Sequence, residues 1–566
     1  MELSTPRLDR VRERFAPGTL ARSRWRLAVW TLVVVLAYAV VGVLAGPRWN
    51  PEPVSTSVQP ETESVSVLGS TPGTVLGRYD TVSRLVDLQL DGATTQVLIV
   101  SPLGVPEPLA DAGLPAAVFL HGAGTGLAES FAEHAQALAS AGVVAVVPSK
   151  RLDTYTTTHR DYVAMAADYA RSVQLARELP EVDPARVGLY AESEGTWIAP
   201  ILAVDDPAIA FVALVSAPVV TPREQGAFAV DAYLREVGVP RSFLRAIPRA
   251  TGAHLPGGIL AYADFDVLPY LRELTQPVFM AYGTQDASMP TVQGPQIVAG
   301  ALPGGVEQLM VRYYADANHG IRIGSSTDPV VPDFLAGLAA WMIDPVAAQA
   351  AGPVVAGATP RQVHMASAVP QPRWYADGEM LLRVPGISAA VVIGGFLVVL
   401  AGAIIGRAQS SRGLRAFLVP RRRGPLEVPA SVRAPVVAAV RFSVVTLVLL
   451  VALVAYIVAV AQLALDYSRN GWVVWGGWAL VQLLAVACAL CAVLTVRALV
   501  RHARARQEAA EEWEAALEAG EVTGPRPGAV ARAASGVREA GCWAILLGAG
   551  GLLFVAAYWG AFSPIS

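Results

Sequence analysis

Val187-Gly188-Leu189-Tyr190-Ala191-Glu192-Ser193-Glu194-Gly195-Thr196-Trp197 decides how the middle of this chain reads. A β-branched, apolar run enters Ala191-Glu192-Ser193-Glu194-Gly195, and an apolar, helix-compatible segment, Thr196 to Val204, leaves it. The order is strand, tight turn, helix. A serine with a small residue two positions away on either side fits a nucleophile elbow. Small flanks are needed because the serine backbone is strained and a larger side chain would strike the neighbouring strand or helix. The first flank is Ala191 in place of glycine. In a chain rich in alanine and glycine the same pattern also arises by chance, as an ordinary turn serine. The neighbouring strand ends separate the two readings.

Outward from the elbow, Tyr79 to Val346 has a globular pattern. Val82 to Leu90 and Gln96 to Val100 alternate around Asp91-Gly92 like a hairpin. Short apolar runs at Ala116–Leu120, Val143–Val147, Val187–Tyr190, Ala210–Ser216, Val278–Tyr282 and Leu309–Tyr314 predict strands, with helices at Ser130–Ala141 and Asp161–Leu179 between them. Strands alternating with helices imply a mostly parallel sheet with helices on both faces. Glu224–Val237 and Ser242–Ala250 read as short helices inside residues 219–275, an insertion expected to form a lid. Its apolar residues, including Phe228, Tyr233, Leu234, Phe243 and Leu244, line an acyl pocket or pack on the core; both readings stay open.

Ligands gather at the carboxyl ends of strands in such sheets, and four ends carry chemistry. They are Ser193, the His121-Gly122-Ala123-Gly124 loop, Asp286 in Tyr282-Gly283-Thr284-Gln285-Asp286, and His319 in Asp316-Ala317-Asn318-His319-Gly320. The chain order Ser193, Asp286, His319 is that of a nucleophile–acid–base triad on an elbow fold. Ser193 is the expected nucleophile, His319 the base and Asp286 the orienting acid, with Asp316 as a rival. The N–H of Glu194 and one from Ala123 or Gly124 are the expected oxyanion donors. His121 reads as structural, and Asp264 and Asp266 as lid or surface residues. Glu192 and Glu194 read as solvated or hydrogen-bonded turn residues, with a local negative field as the sharper alternative. His134, His159, His254, His364 and His502 lack a strand-end setting.

The composition sets the surroundings. The 566 residues are 54% hydrophobic, with a mean hydropathy of +0.45, too apolar for a wholly soluble protein. The net charge of −3 argues against a nucleic-acid partner. Cys488, Cys491 and Cys542 lie in apolar runs near the C-terminus, so no disulfide framework or Cys/His metal pattern is expected in the globular region. Neither a metal nor a cofactor is expected.

Five apolar runs predict transmembrane helices: 27–46, 387–405, 442–465, 472–496 and 542–562. Residues 1–26 form an arginine-rich cytoplasmic tail, 47–78 and 347–386 are linkers around the 79–346 domain, and 406–441 and 497–541 are cytoplasmic loops. Arginine is concentrated in the tail and those two loops, so the positive-inside rule places the N-terminus in the cytoplasm and the globular domain outside. The first run also resembles a signal peptide, with Val43-Leu44-Ala45 as a cleavage site, but its length favours a retained anchor. Glu508–Glu521 reads as a short acidic helix between the last two spans.

Residues 79–346 resemble the α/β-hydrolase superfamily, in particular bacterial dienelactone-hydrolase and serine-aminopeptidase types. The resemblance rests on Ser193-Glu194-Gly195-Thr196-Trp197-Ile198-Ala199-Pro200, on Asp264-Phe265-Asp266 and the approach through Pro277-Val278 to Gly283-Thr284-Gln285-Asp286, and on Asn318-His319-Gly320. Relatives of that kind often carry Asp-Lys-Arg-Gly after the fourth strand, where this chain has Ser149-Lys150-Arg151-Leu152. The resemblance implies an α/β-hydrolase fold and a serine hydrolase of carboxylesterase or lipase character, with peptidase activity open. It covers under half of the chain and leaves out the C-terminal spans.

The expectation is a multi-pass serine hydrolase of the cell membrane, of bacterial type, acting on acyl esters on the outer side. A domain tethered to the bilayer by both neighbouring spans favours a lipid or envelope component as substrate. Two alternatives stay open: acyl transfer to an envelope acceptor, and a non-enzymatic sensor or scaffold. A transporter is disfavoured, because the spans hold few polar residues, chiefly Gln462 and Gln482. Oligomeric state is not legible.

Overall fold

The computed structural model describes residues 17–68, 75–415, 432–465, 468–523 and 529–563. The N-terminal tail up to residue 16 and the loop arginines Arg421, Arg422, Arg423 and Arg526 lie outside the described residues. The chain divides into two compact units. One comprises Trp49–Tyr233 and His254–Pro370; the other comprises Met1–Arg48, Leu234–Ala253 and Gln371–Ser566.

In the first unit, nine strands form one sheet: β1 (Asp80–Leu90), β2 (Ala93–Leu103), β3 (Leu114–Leu120), β4 (Val144–Pro148), β5 (Val182–Glu192), β6 (Val212–Val215), β7 (Val278–Gly283), β8 (Leu309–Tyr314) and β9 (Val355–Gly357). Their order is β1-β2-β4-β3-β5-β6-β7-β8-β9. β2 runs antiparallel to β1 and to β4, and every later pairing is parallel. This is the α/β-hydrolase topology.

β3, β4, β6, β7 and β8 are buried along their whole length. Sheets covered on both faces require such continuous apolar runs. One face packs Val118, Leu120, Leu189 and Leu214 against Trp197, Ile201 and Val173. The other packs Phe119, Tyr190, Phe211 and Phe279 against Phe131, Phe334 and Trp341. The helix Tyr162–Arg177 starts where Asp161 accepts from the N–H groups of Val163 and Ala164, satisfying two orphan donors.

The segments flanking the domain, read as linkers, pair with one another. Val54 N donates to Val363 O and Met365 N to Glu52 O. Glu61 Oε1 accepts from Val354 N and Val355 N, at 2.9 and 3.1 Å, next to the edge strand β9. β9 itself lies in a stretch without sequence periodicity.

In the second unit, five described helices are long and apolar enough to cross a membrane: Ser23–Ala45, Gly378–Arg407, Arg433–Leu463, Trp472–Glu518 and Ala531–Tyr558. The acidic stretch expected as a separate helix continues the fourth of these without a break to Glu518. No glycine or proline lies between Arg497 and Glu518 to stop it. The second and fifth helices meet through small residues spaced seven apart. A Cβ on Gly395 would lie 2.8 Å from Gly541 O, one on Gly402 2.9 Å from Ala534 O, and one on Gly548 2.7 Å from Ser388 O. Lipid removes most of the hydrophobic drive between helices, so close backbone approach supplies the contact.

The same unit holds the middle of the expected lid. Phe243 packs edge-on against Tyr456 and Trp478, with centroids 5.1 and 5.6 Å away. Arg249 Nη2 donates to Gly42 O at 2.7 Å, and its guanidinium lies over the Tyr558 ring.

Candidate active site

The sheet reverses its winding direction between β3 and β5: from β3 the chain goes to β4 on one side, and from β5 to β6, β7 and β8 on the other. The carboxyl ends at such a reversal leave a crevice. The register aligns those ends, pairing Leu120 with Ala191 and Glu192 with Val215. The loops after β3, β5 and β6 therefore emerge side by side.

Ser193 follows β5 with φ of 53°, in the left-handed region that a non-glycine residue rarely occupies. Its N–H donates to Val215 O at 2.9 Å, tying the strained turn to β6. The helix Gly195–Asp205 begins at once, so close to β3 that a Cβ on Gly195 would lie 2.5 Å from Leu120 O. Gly122 packs on the other side: a Cβ there would sit 3.1 Å from Ser193 Cβ. Gly195 leaves no room for a side chain and Gly122 little, and the small flank at Gly195 reports this crowding.

His319 and Asp286 meet, with Nδ1 2.8 Å from Oδ2. A carboxylate can only accept, so Nδ1 carries the proton and Nε2 of the neutral ring is left to accept another. The Asp286 side chain is fully buried, while 31% of the His319 side chain reaches solvent. Burial alone would raise the carboxyl pKa and lower that of the imidazole. Their mutual attraction wins in both, holding Asp286 below its ordinary value and lifting His319 above its own. Asp286 Oδ1 also accepts from Ser288 Oγ at 2.6 Å and Ser288 N at 3.0 Å. Ser216 Oγ donates to His319 O at 2.7 Å, steadying the histidine loop from β6. Ser288 and Ser216 were not singled out in the sequence; a lone serine beyond a strand carries no pattern.

Asp316, the rival acid, is exposed, and its carboxylate accepts from Gln285 Nε2 at 3.4 Å rather than from His319. Asp264 is paired with Arg223 and His254. His121 is buried with Nε2 2.7 Å from Pro148 O, and burial lowers its pKa to about 4. The buried His134 ring sits among Phe131, Tyr190 and Phe334, and burial likewise lowers its pKa to about 4.

Glu192 and Glu194 differ sharply. Glu192 accepts from Tyr190 Oη at 3.1 Å, and burial raises its pKa. The Glu194 side chain is 1% exposed and is bound by Lys150 Nζ at 3.1 Å, Tyr155 Oη at 2.8 Å, Tyr162 Oη at 3.3 Å and Arg160 Nη1. Glu194 is hydrogen-bonded, as one reading of the sequence had it, but not solvated. Its charge is met by two cations.

The backbone N–H groups of Ala123, Gly124 and Glu194 donate to nothing among the described residues. Ser193 Oγ likewise has no hydrogen-bond partner among them. The described residues contain no cluster of three or more His, Cys, Asp or Glu side chains able to hold a metal ion.

No protein-family model matches the sequence, and no curated protein matches it. Among solved structures, this chain is similar to a hypothetical protein of Pseudomonas aeruginosa, with 15% identity and a TM-score of 0.34 over 50% of this chain and 99% of that one. It is also similar to an esterase of Pyrococcus furiosus, with 15% identity and a TM-score of 0.32 over 49% and 97%. A third similar structure is a dienelactone hydrolase of Anabaena variabilis, with 14% identity and a TM-score of 0.28 over 46% and 96%.

Proposed function

We propose that the protein is a membrane-anchored serine hydrolase that cleaves acyl esters through Ser193, His319 and Asp286. The observation that carries this reading is the Asp286–His319 pair, its carboxylate buried and its atoms 2.8 Å apart, beyond strands of the same sheet that presents Ser193 at positive φ. Ser193 Oγ attacks the acyl carbonyl while His319 Nε2 takes its proton. Asp286 fixes the tautomer and stabilises the imidazolium. The oxyanion is met by the N–H of Glu194 and that of Ala123 or Gly124, the groups left without acceptors. His319 returns the proton to the leaving oxygen, and water releases the acyl group by the same steps in reverse.

A fluorophosphonate probe tests this reading on the full chain in detergent or lipid. The wild type labels on Ser193 and turns over short esters. Ser193→Ala loses both, and persistent labelling of that variant assigns the chemistry to another serine.

The arginine-rich loops support an outward-facing hydrolase unit. Tethering on both sides favours an acyl ester of a lipid or envelope glycan. A cysteine placed near Gly352 then reacts with an impermeant thiol reagent on intact cells, and one near Gly424 does not. The reverse pattern inverts the orientation.

A further inference from the structure

Lys150 is the only lysine in a chain with 43 basic side chains. Wherever a positive charge alone is wanted, this sequence uses arginine. Lys150 is also buried, with 2% of its side chain exposed. An ammonium buried so deeply needs a partner for each of its three protons. Lys150 has three acceptors: Gly122 O at 2.6 Å, Glu194 Oε2 at 3.1 Å, and the face of the Tyr155 ring, 4.3 Å from Nζ to the centroid. Tyr155 closes the circuit by donating its own hydroxyl to the same Glu194 oxygen. A guanidinium presents five donors in a rigid planar fork and does not fit three acceptors converging on one nitrogen.

The two protein groups joined by this nitrogen belong to the two segments that flank Ser193. Gly122 immediately precedes Ala123 and Gly124, and Glu194 immediately follows the serine. Their unbonded N–H groups serve as oxyanion donors in the function proposed above, and the present inference rests on that reading. Nothing in the loop after β3 fixes its spacing from the elbow covalently. We propose that Lys150 is the positioning residue of the oxyanion site, an ammonium clamp that joins the Gly122 carbonyl to the Glu194 carboxylate and so holds their two segments at the separation a developing oxyanion requires. Arg160 and Tyr162 hold the other carboxylate oxygen, so the Glu194 side chain cannot rotate away from the clamp.

The clamp predicts a specific kinetic signature, because oxyanion donors act on the transition state and little on bound ester. Lys150→Met and Lys150→Arg are assayed as full-length protein on a short ester, with rates expressed per fluorophosphonate-titrated Ser193. Both variants lose kcat on the order of a hundredfold, with KM within about twofold. A trifluoromethyl ketone, which forms a tetrahedral adduct, loses affinity by a similar factor. The pH at which His319 titrates in kcat/KM stays put, since Asp286 and His319 are untouched.

A purely structural lysine would reduce the titratable fraction and leave the rate per site alone; that result overturns the proposal. Full rescue by Lys150→Arg also overturns it, since charge would then suffice. If Lys150→Met does not fold, Glu194→Gln decides: it keeps the side-chain shape and removes the charge that draws Lys150, and an unchanged kcat per site contradicts the clamp. Failure of the wild type to label at Ser193 strikes the proposed function instead.

Discussion

Two buried carboxylates, Asp286 and Glu194, are set apart by their partners. Asp286 faces an imidazole and a serine hydroxyl. Glu194 faces an ammonium, a guanidinium and two phenols. An imidazole can take and release a proton within the working pH range, whereas a guanidinium cannot. The first cluster is therefore fit to move a proton, and the guanidinium side of the second to stay charged while it moves. Burial alone does not distinguish the two; the lability of the partner does.

Replacing Asp286 should break this contrast most severely. Asp286→Asn keeps the shape but removes the charge that orients and stabilises the imidazolium, so kcat on a soluble ester should fall on the order of a thousandfold or more. The pH profile should change with it. His319 must be neutral to act as base, so kcat/KM rises as pH passes upward through its pKa. Asp286 raises that pKa above the ordinary 6.5, which centres the wild-type rise above 6.5. In Asp286→Asn the rise should move to lower pH. A profile that does not move would mean that another group holds His319.

Ser288→Ala sharpens the same cluster at smaller scale. It removes a hydroxyl donor from the charged Asp286 Oδ1, an interaction worth about 1.5–3 kcal/mol, so a loss in kcat/KM on the order of tenfold or more is expected, still smaller than that of Asp286→Asn. Asp316→Asn should have the smallest effect, within about twofold, because an exposed carboxylate without a bond to His319 contributes little. Steady-state assays of the three variants side by side rank them. A larger loss in Asp316→Asn than in Asp286→Asn would transfer the acid to the histidine loop.

The strand-end placement of Ser193, Asp286 and His319 was legible in the sequence because each follows a short apolar run, and buried parallel strands leave that signature. The central strands were legible for the same reason. β9 was not: it spans Val355–Gly357, and the nearby N–H groups of Val354 and Val355 meet a carboxylate at Glu61, nearly three hundred residues away. The insertion at 219–275 reads as one apolar-rich stretch, yet Leu234–Ala253 belongs to the unit of long helices. Phe243 and Leu244 carry no mark of which core they enter. Lys150 stood out only as part of a segment that departs from the pattern of similar proteins. Its role depends on Gly122 and Glu194, which are distant in sequence and adjacent only across β3 and β5.

In the proposed mechanism, acyl transfer passes through Ser193. Acid-quenching the full-length protein during turnover of an activated ester, followed by peptide mass mapping, tests it most directly. One acyl adduct is expected, on the peptide containing Ser193, absent from Ser193→Ala and slower to form in Asp286→Asn. An adduct on a different residue, or sustained turnover in Ser193→Ala, would contradict it.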